Sequence, residues 1–224
     1  MKSLHKLIMM SATYQMSSQS KQLAYDKDPT NRLFWRFNMR RLTAEEIRDS
    51  VLVVGGSFNP KMFGASIYPP LPAEVLATSS QPNRAWGRSS PAESSRRSIY
   101  IHVKRSLRPP MLVNFDSPDA DSACAVRVST TVPTQALGML NSRFMNEQAA
   151  KFAARLRLDK KDNIKDQIAY AIRLTTGRRP QDAEVKGDLA FVNQLMNKFK
   201  LTGVDAMRHY ALLMLNTNEF VYLD

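Results

Sequence analysis

The stretch RFMNEQAAKFAARLRLDKKDNIKDQIAYAIRLTTG, residues 143–177, decides the fold. Phe144, Gln148, Phe152 and Leu156 fall on one face of a helix from about Arg143 to Leu158, and Ile164, Ile168 and Ile172 repeat at four-residue spacing in a second. That recurrence is the helical period and not the alternation of a strand. Asp162 can cap the second helix, and Gly177 stops it because glycine enters left-handed backbone without a Cβ clash. Two amphipathic helices joined by a short polar turn bury their apolar stripes against each other, which predicts an antiparallel bundle.

Downstream the pattern continues. Arg178-Arg179-Pro180 turns the chain, and Asp182 can cap a helix carrying Val185, Leu189, Val192, Met196 and Phe199. Gly203 separates a last helix with Ala206, Tyr210, Leu213 and Met214. Upstream, Pro133 suits a first helical turn, and Gln135 to Leu140 makes a short helix ending at Asn141. Residues 131–224 therefore read as a C-terminal antiparallel helical bundle.

Residues 1–56 read as a helical N-terminal part. Thr43-Ala44-Glu45-Glu46 has the capping-box form and opens a helix with Ile47, Val51 and Val54 inward, ended by Gly55-Gly56. Asp28-Pro29-Thr30 marks another helix start, predicting a helix over 31–41 with Leu33, Phe34 and Phe37 on one side. Arg32, Arg36 and Arg40 then stack along a stripe, as a solvated or ion-paired face or as an anion-binding ridge. The opening residues form an amphipathic helix with Leu4, Leu7 and Ile8 inward; Leu7 to Met10 is too short for a secretory h-region, and no cleavage site follows.

Between these ends, residues 57–130 make a Pro/Arg-rich irregular connector. Pro60, Pro69, Pro70, Pro72, Pro82 and Pro91 each remove a backbone donor. Phe58, Phe63, Tyr68 and Trp86 either pack the segment on the helices or leave it mobile and functional. A turn of helix fits Pro72 to Leu76, and Ser98 to Ser106 alternates like a strand, unless tertiary context makes it helical. The fold class is mainly α, with at most a little β.

Charge and composition exclude more than they assign. The 224 residues carry 32 Lys and Arg against 20 Asp and Glu, net +12, a field that attracts nucleic acid, anionic polysaccharide or acidic lipid without specifying which. The densest basic stretch, Arg84 to Arg108, holds seven cations against Glu93, with Trp86 and Tyr100 among them, but no nucleic-acid-binding motif. The single cysteine, Cys124, excludes an internal disulfide, a Cys-based metal cage and c-type haem attachment within this chain. No apolar run has the length of a membrane span.

His5, His102 and His209 lack the i+3 or i+4 partner of a helical metal site, and His5 reads as a buried or interfacial polar residue. A Cys124–His102 nucleophile pair needs only spatial proximity, but nothing local activates the thiol. Asp116, Asp119 and Asp121 form an acidic corner without the spacing or glycine of a calcium loop, so ion pairs to Arg96, Arg97 or Arg127 are the expected use. The 12 methionines read as adaptable core filling. No cofactor or metal is expected in this chain.

Several segments together carry a resemblance: Leu4-His5-Lys6-Leu7-Ile8 with Ser11-Ala12-Thr13-Tyr14; Asp28-Pro29-Thr30-Asn31-Arg32-Leu33 with Arg40-Arg41-Leu42; Glu46-Ile47-Arg48-Asp49; Arg96-Arg97-Ser98-Ile99-Tyr100; Phe115-Asp116-Ser117-Pro118-Asp119 with Cys124; Pro133-Thr134-Gln135-Ala136-Leu137 with Leu140-Asn141; and Leu215-Asn216-Thr217-Asn218-Glu219-Phe220. In this order the chain resembles the planctomycete-specific C-terminal domain of unknown function 1553, the PSD family. Family members look like the last part of exported, multidomain c-type cytochrome-like proteins with no established activity. The resemblance implies a chain that starts inside the family domain, without the upstream regions, haem motif or export signal: a fragment, a truncated gene model or a shortened relative. A cell-envelope location is the family's expectation.

The resulting expectation is a non-catalytic module for protein or glycan interaction, whose partners are a haem c-containing domain or protein, or an anionic glycan. Arg96, Arg97, Tyr100, Phe115, Asp116, Asp119, Cys124, Gln135 and Asn141 are its candidate binding or structural residues. The alternatives are a polysaccharide hydrolase using Asp116 and Asp119 as acid and base, or a basic nucleic-acid-binding protein, the less favoured partner class.

Overall fold

Helix α1 (Lys2–Met9) forms at the start of the chain, but no residue of it is buried, and Leu4, Leu7 and Ile8 face outward instead of inward. His5 is likewise exposed. The computed structural model describes residues 1–161 and 163–223, and in it residues 1–41 with Tyr222 and Leu223 form one compact unit, Leu42–Val221 the other.

In the first unit a short helix, α2 (Gln22–Lys27), precedes Asp28, and the helix expected over 31–41 is absent. The reason is local competition for backbone groups. The Asp28 carboxylate accepts from the Leu33 amide at 2.8 Å, and the Asn31 side chain donates to the Arg36 carbonyl at 2.8 Å and to Asn38 at 2.9 Å. Short polar side chains that take backbone partners in this way favour turns over helix. Asn31 and Phe34 have positive φ, 55° and 52°, so the arginine stripe does not form. The segment ends in β1 (Arg40–Arg41), paired antiparallel with β2 (Tyr222–Leu223).

The second unit begins as the sequence predicts. Thr43 caps α3 (Ala44–Val54): its hydroxyl accepts from the Glu46 amide, and the Glu46 carboxylate accepts from the Thr43 amide at 2.8 Å. Ile47, Val51 and Val54 are buried. Of the two glycines that follow, Gly56 takes the left-handed conformation, φ 71°, while Gly55 stays right-handed.

The connector contains short helices α4 (Ala73–Ala77), α5 (Pro91–Ser94) and α6 (Pro110–Asn114), and one 3₁₀ turn, Ser98–Tyr100. The strand expected over 98–106 is replaced by that turn and a single parallel bridge, Ile67 with Ile101. Ile101 is buried while Ile99 and Val103 are exposed, so the alternation does not mark a common core face.

Helices α7 (Pro133–Asn141), α8 (Arg143–Lys160), α9 (Ile164–Thr176), α10 (Asp182–Lys198) and α11 (Gly203–Met214) form the bundle, followed by α12 (Asn218–Val221). Helix α8 is its hub, packing on α7, α9, α11 and α3 through Gln148, Phe152 and Leu156. The expected cap Asp162 lies outside the described residues; Asn163 accepts the Asp166 amide instead. Gln181, not Asp182, occupies the N-cap of α10. Phe199 is exposed, past the end of that helix, and Gly177 closes α9 at φ 74°. Tyr210, buried on α11, donates to Asp188 at 2.7 Å; burial first, then this bond, push its phenol well above the usual range. Among the described residues no helix is long and apolar enough to cross a membrane.

Candidate functional site

The turn 94–98 sits where α3 can grip it. Arg48, buried on α3, donates through Nη1 to the Arg96 carbonyl at 3.2 Å and Ser98 Oγ at 3.1 Å, and through Nη2 to the Ser94 carbonyl at 2.5 Å. Burial pulls its guanidinium down to about 10, partly offset by Asp49. Next to it, Asp49 accepts from Ser98 N at 2.8 Å and Ser98 Oγ at 2.7 Å, and stands 3.9 Å from Arg97 Nε. Two segments of the sequence resemblance, 46–49 and 96–100, thus meet in space.

From this turn Arg96 reaches into the loop 57–68. The loop's ends are tied to the turn by backbone bonds, Asn59 N to the Ser95 carbonyl at 2.9 Å and Ile67 N to the Tyr100 carbonyl at 2.8 Å. Between the ties, the Arg96 side chain, 1% exposed, donates to the carbonyls of Lys61 at 3.2 Å and Ala65 at 3.3 Å, and to that of Phe63. Guanidinium, with five donors in a rigid plane, is the side chain suited to several carbonyls on alternate residues. Arg96 also lies 4.2 Å over the Tyr100 ring, a cation–π contact, and pairs with Glu93 at 3.1 Å.

The consequence falls on Phe63. Its amide donates to the Tyr100 hydroxyl at 2.8 Å while its carbonyl accepts from Arg96, so both sides of the residue are held. Its φ is 64° and its ring 76% exposed. An aromatic residue in left-handed backbone costs on the order of 1–3 kcal/mol, and persists only where its surroundings over-determine it. Of the two alternatives for the connector aromatics, Phe63 does not follow the one in which it packs on the helices. Tyr68 and Trp86 pack on each other, edge to face at 5.4 Å, with the Trp86 indole donating to the Pro69 carbonyl.

The Lys61 ammonium, 2.8 Å from Glu93, holds that carboxyl below its usual value of 4.5, and Arg96 adds to the effect although desolvation opposes it. A carboxyl with a lowered folded-state pKa contributes stability that is complete above its unfolded value and lost as pH falls through the folded one. Amide protection over 61–65, measured relative to unstructured amides at the same pH, is therefore expected to fall below about pH 4.5, and Glu93→Gln to abolish that acid step.

The acidic corner is a separate construction. Asp116, φ 61°, accepts from Thr130 N at 2.8 Å and Thr130 Oγ1 at 2.9 Å. Buried Gln135 donates to the Thr130 carbonyl and hydroxyl, both at 3.2 Å. Arg108 donates to the Ser117 and Pro118 carbonyls and lies 3.9 Å from Asp119, while Asp121 pairs with Arg105. The ion pairs differ from those expected: Arg96 takes Glu93, Arg97 takes Asp49, and Arg127 makes a two-bond pair with Glu45 on α3. Glu93 is a neighbour of Arg96 in the sequence, whereas Asp49 and Glu45 are brought in by the fold from α3.

Phe115 is buried beside the corner, Cys124 is exposed with its thiol 3.4 Å from the Val126 carbonyl, and Asn141 is exposed at the end of α7. The structure brings together Arg96, Arg97 and Tyr100, and separately Asp116 with Gln135. Phe63, Lys61 and Asp49 were not singled out as site residues by sequence reasoning; the paired motif segments were the available signal for Asp49, and none marked Phe63. A shallow groove of about 590 Å³ between the end of α3 and α8, lined among others by Val53, Phe58, Lys151 and Arg155, includes none of the predicted residues. Among the described residues no three His, Cys, Asp or Glu side chains group closely enough to hold a metal ion.

No curated protein and no solved structure matches the chain. A family model does, over residues 1–192, and it spans the α3 grip, the Arg96 brace and the acidic corner. The chain belongs to the family described as protein of unknown function DUF1553 (PSD1).

Proposed function

We propose that the chain is a non-catalytic interaction module that presents Phe63 as a rigid aromatic anchor to a protein or glycan partner. The observation that carries this reading is the gripping of Phe63 from both sides by Arg96 and Tyr100 while its ring remains in solvent. Rigid, exposed aromatics bind with little loss of side-chain entropy, and they dominate many recognition surfaces. The charged motif residues support the reading in another way: Arg48, Arg96 and Asp116 are engaged with backbone atoms and Thr130, as scaffold residues are, and so is the neighbouring Arg108. Arg97, half-exposed beside the brace and 3.9 Å from Asp49, is a cation that an anionic glycan could share with that carboxylate.

In an exported c-type cytochrome-like protein, the partner would be a haem c-containing domain. The reading assigns no cofactor and no catalytic residue to this chain. Pull-down with a c-type haem domain, and glycan arrays, are the tests. Phe63→Ala is expected to weaken the interaction by about 2 kcal/mol, roughly thirtyfold, with an unchanged melting curve. Binding unaffected by Phe63→Ala, or turnover of a polysaccharide by the chain, would refute it.

A further inference from the structure

The first compact unit carries a different surface. Residues 1–41 hold eight Lys and Arg against two Asp, a net +6, and the first 25 residues contain no acidic side chain. On α1, Leu4, Leu7 and Ile8 fall within an arc of about 100°, with Lys2 and Lys6 on the opposite side. No residue of this helix is buried, and Leu7 is 71% exposed. In the same unit the turn after Asp28 sets Leu33 and Phe34 outward, 80% and 69% exposed, between Arg32 and Arg36.

We infer that residues 1–41 are a peripheral docking surface for an anionic lipid bilayer, with α1 lying in the headgroup plane and the Leu33–Phe34 tip entering beside it. The two kinds of exposed side chain select this partner jointly. Nucleic acid or an anionic polysaccharide would satisfy the cations but leave Leu4, Leu7, Ile8, Leu33 and Phe34 in water. A neutral apolar surface would satisfy the aliphatics but not the exposed cations Lys2, Lys6, Lys21, Lys27 and Arg32. A bilayer with acidic headgroups takes both: its acyl boundary accepts the apolar face, and its phosphates attract lysines whose stems lie along the surface. The residues involved are not those of the Phe63 brace, so this inference and the proposed function stand or fall separately.

Co-sedimentation of the full chain with vesicles tests it, using phosphatidylcholine alone or with about 30% phosphatidylglycerol, in about 0.1 M salt. The expected result is binding to the acidic vesicles and at least about tenfold less to the neutral ones. The variant L7E/I8E should lose about tenfold or more in binding, and K2Q/K6Q should also weaken it. R84Q/R88Q, an equal charge change in the second unit, should stay within about twofold of the parent. Because α1 buries no side chain, L7E/I8E should melt like the parent, which separates lost docking from lost folding. Absence of binding to acidic vesicles, equal loss in R84Q/R88Q, or binding indifferent to L7E/I8E would each overturn the inference. So would a dimer, seen by light scattering, that L7E/I8E converts to monomer without any vesicle binding, because a second copy would then be the occupant.

Discussion

Replacing Arg96 with alanine is expected to lower the stability of the 42–221 unit by about 3 kcal/mol, read as a shift in urea midpoint at constant slope. The substitution leaves the carbonyls of Lys61, Phe63 and Ala65 without their donor and Glu93 without one of its two cations. Breaking a fully buried pair costs about 3–5 kcal/mol. The lower end applies because Glu93 is partly exposed and rehydrates. Arg96→Lys should recover less than half of the loss. An ammonium has the charge but is a point donor, and it cannot span carbonyls on three alternate residues. A loss of under about 1 kcal/mol for both variants, the usual value of a surface ion pair, would contradict the bracing role.

Phe152→Ala is expected to cost about 4 kcal/mol. The Phe152 side chain is fully buried on α8, the helix that packs on α7, α9, α11 and α3, and cannot be truncated without leaving a cavity in that core. With a total stability of about 5–15 kcal/mol for an ordinary domain, that loss removes between roughly a quarter and most of it. The two substitutions are expected to differ in kind. Phe152→Ala lowers the cooperative melt of the whole unit, whereas Arg96→Ala also frees the 57–68 loop at temperatures where the bundle is intact. Limited proteolysis below the melting midpoint should cut near Phe63 in the Arg96 variant and leave that bond protected in the Phe152 variant. Cleavage at Phe63 in neither would sink the distinction.

The bundle was legible because its signals are local. The four-residue recurrence of Ile164, Ile168 and Ile172, and the glycine at 177, each specify helix geometry within a turn or two of their own position. The Thr43 capping box is equally self-contained. What could not be read is what depends on distant partners. Arg96 precedes the candidate aspartates in the sequence, yet the carbonyls it binds belong to residues some thirty positions earlier, which no side-chain pattern records. The alternation over 98–106 has the form of a strand, but without a partner strand beyond one bridge the backbone settles into a 3₁₀ turn held by Asp49. Over 31–41, the apolar and basic spacing suited a helix. The Asp28 and Asn31 side chains took the amides that the helix needed.

The candidate site was legible to the same extent. Arg96, Arg97 and Tyr100 were identified by their place in a family segment, and Asp116 and Gln135 likewise, because these motifs are strings of residue types. For Phe63 the sequence leaves packing and exposure both open, since an exposed aromatic and a buried one look the same in a sequence. Its outward ring follows from the positive φ, and the φ from the two groups that hold its peptide. Exposure at α1 was unreadable for a related reason: an apolar arc specifies that a face exists, not what covers it.

The most direct test is the hydrogen-exchange rate of the Phe63 amide in the intact chain. If the Arg96–Tyr100 brace holds this residue, the amide exchanges at least about a hundredfold slower than an unstructured one in the parent. It should approach the unstructured rate in Arg96→Ala and Tyr100→Phe. A Phe63 amide that already exchanges freely in the parent would mean that the loop is loose and the ring is no anchor.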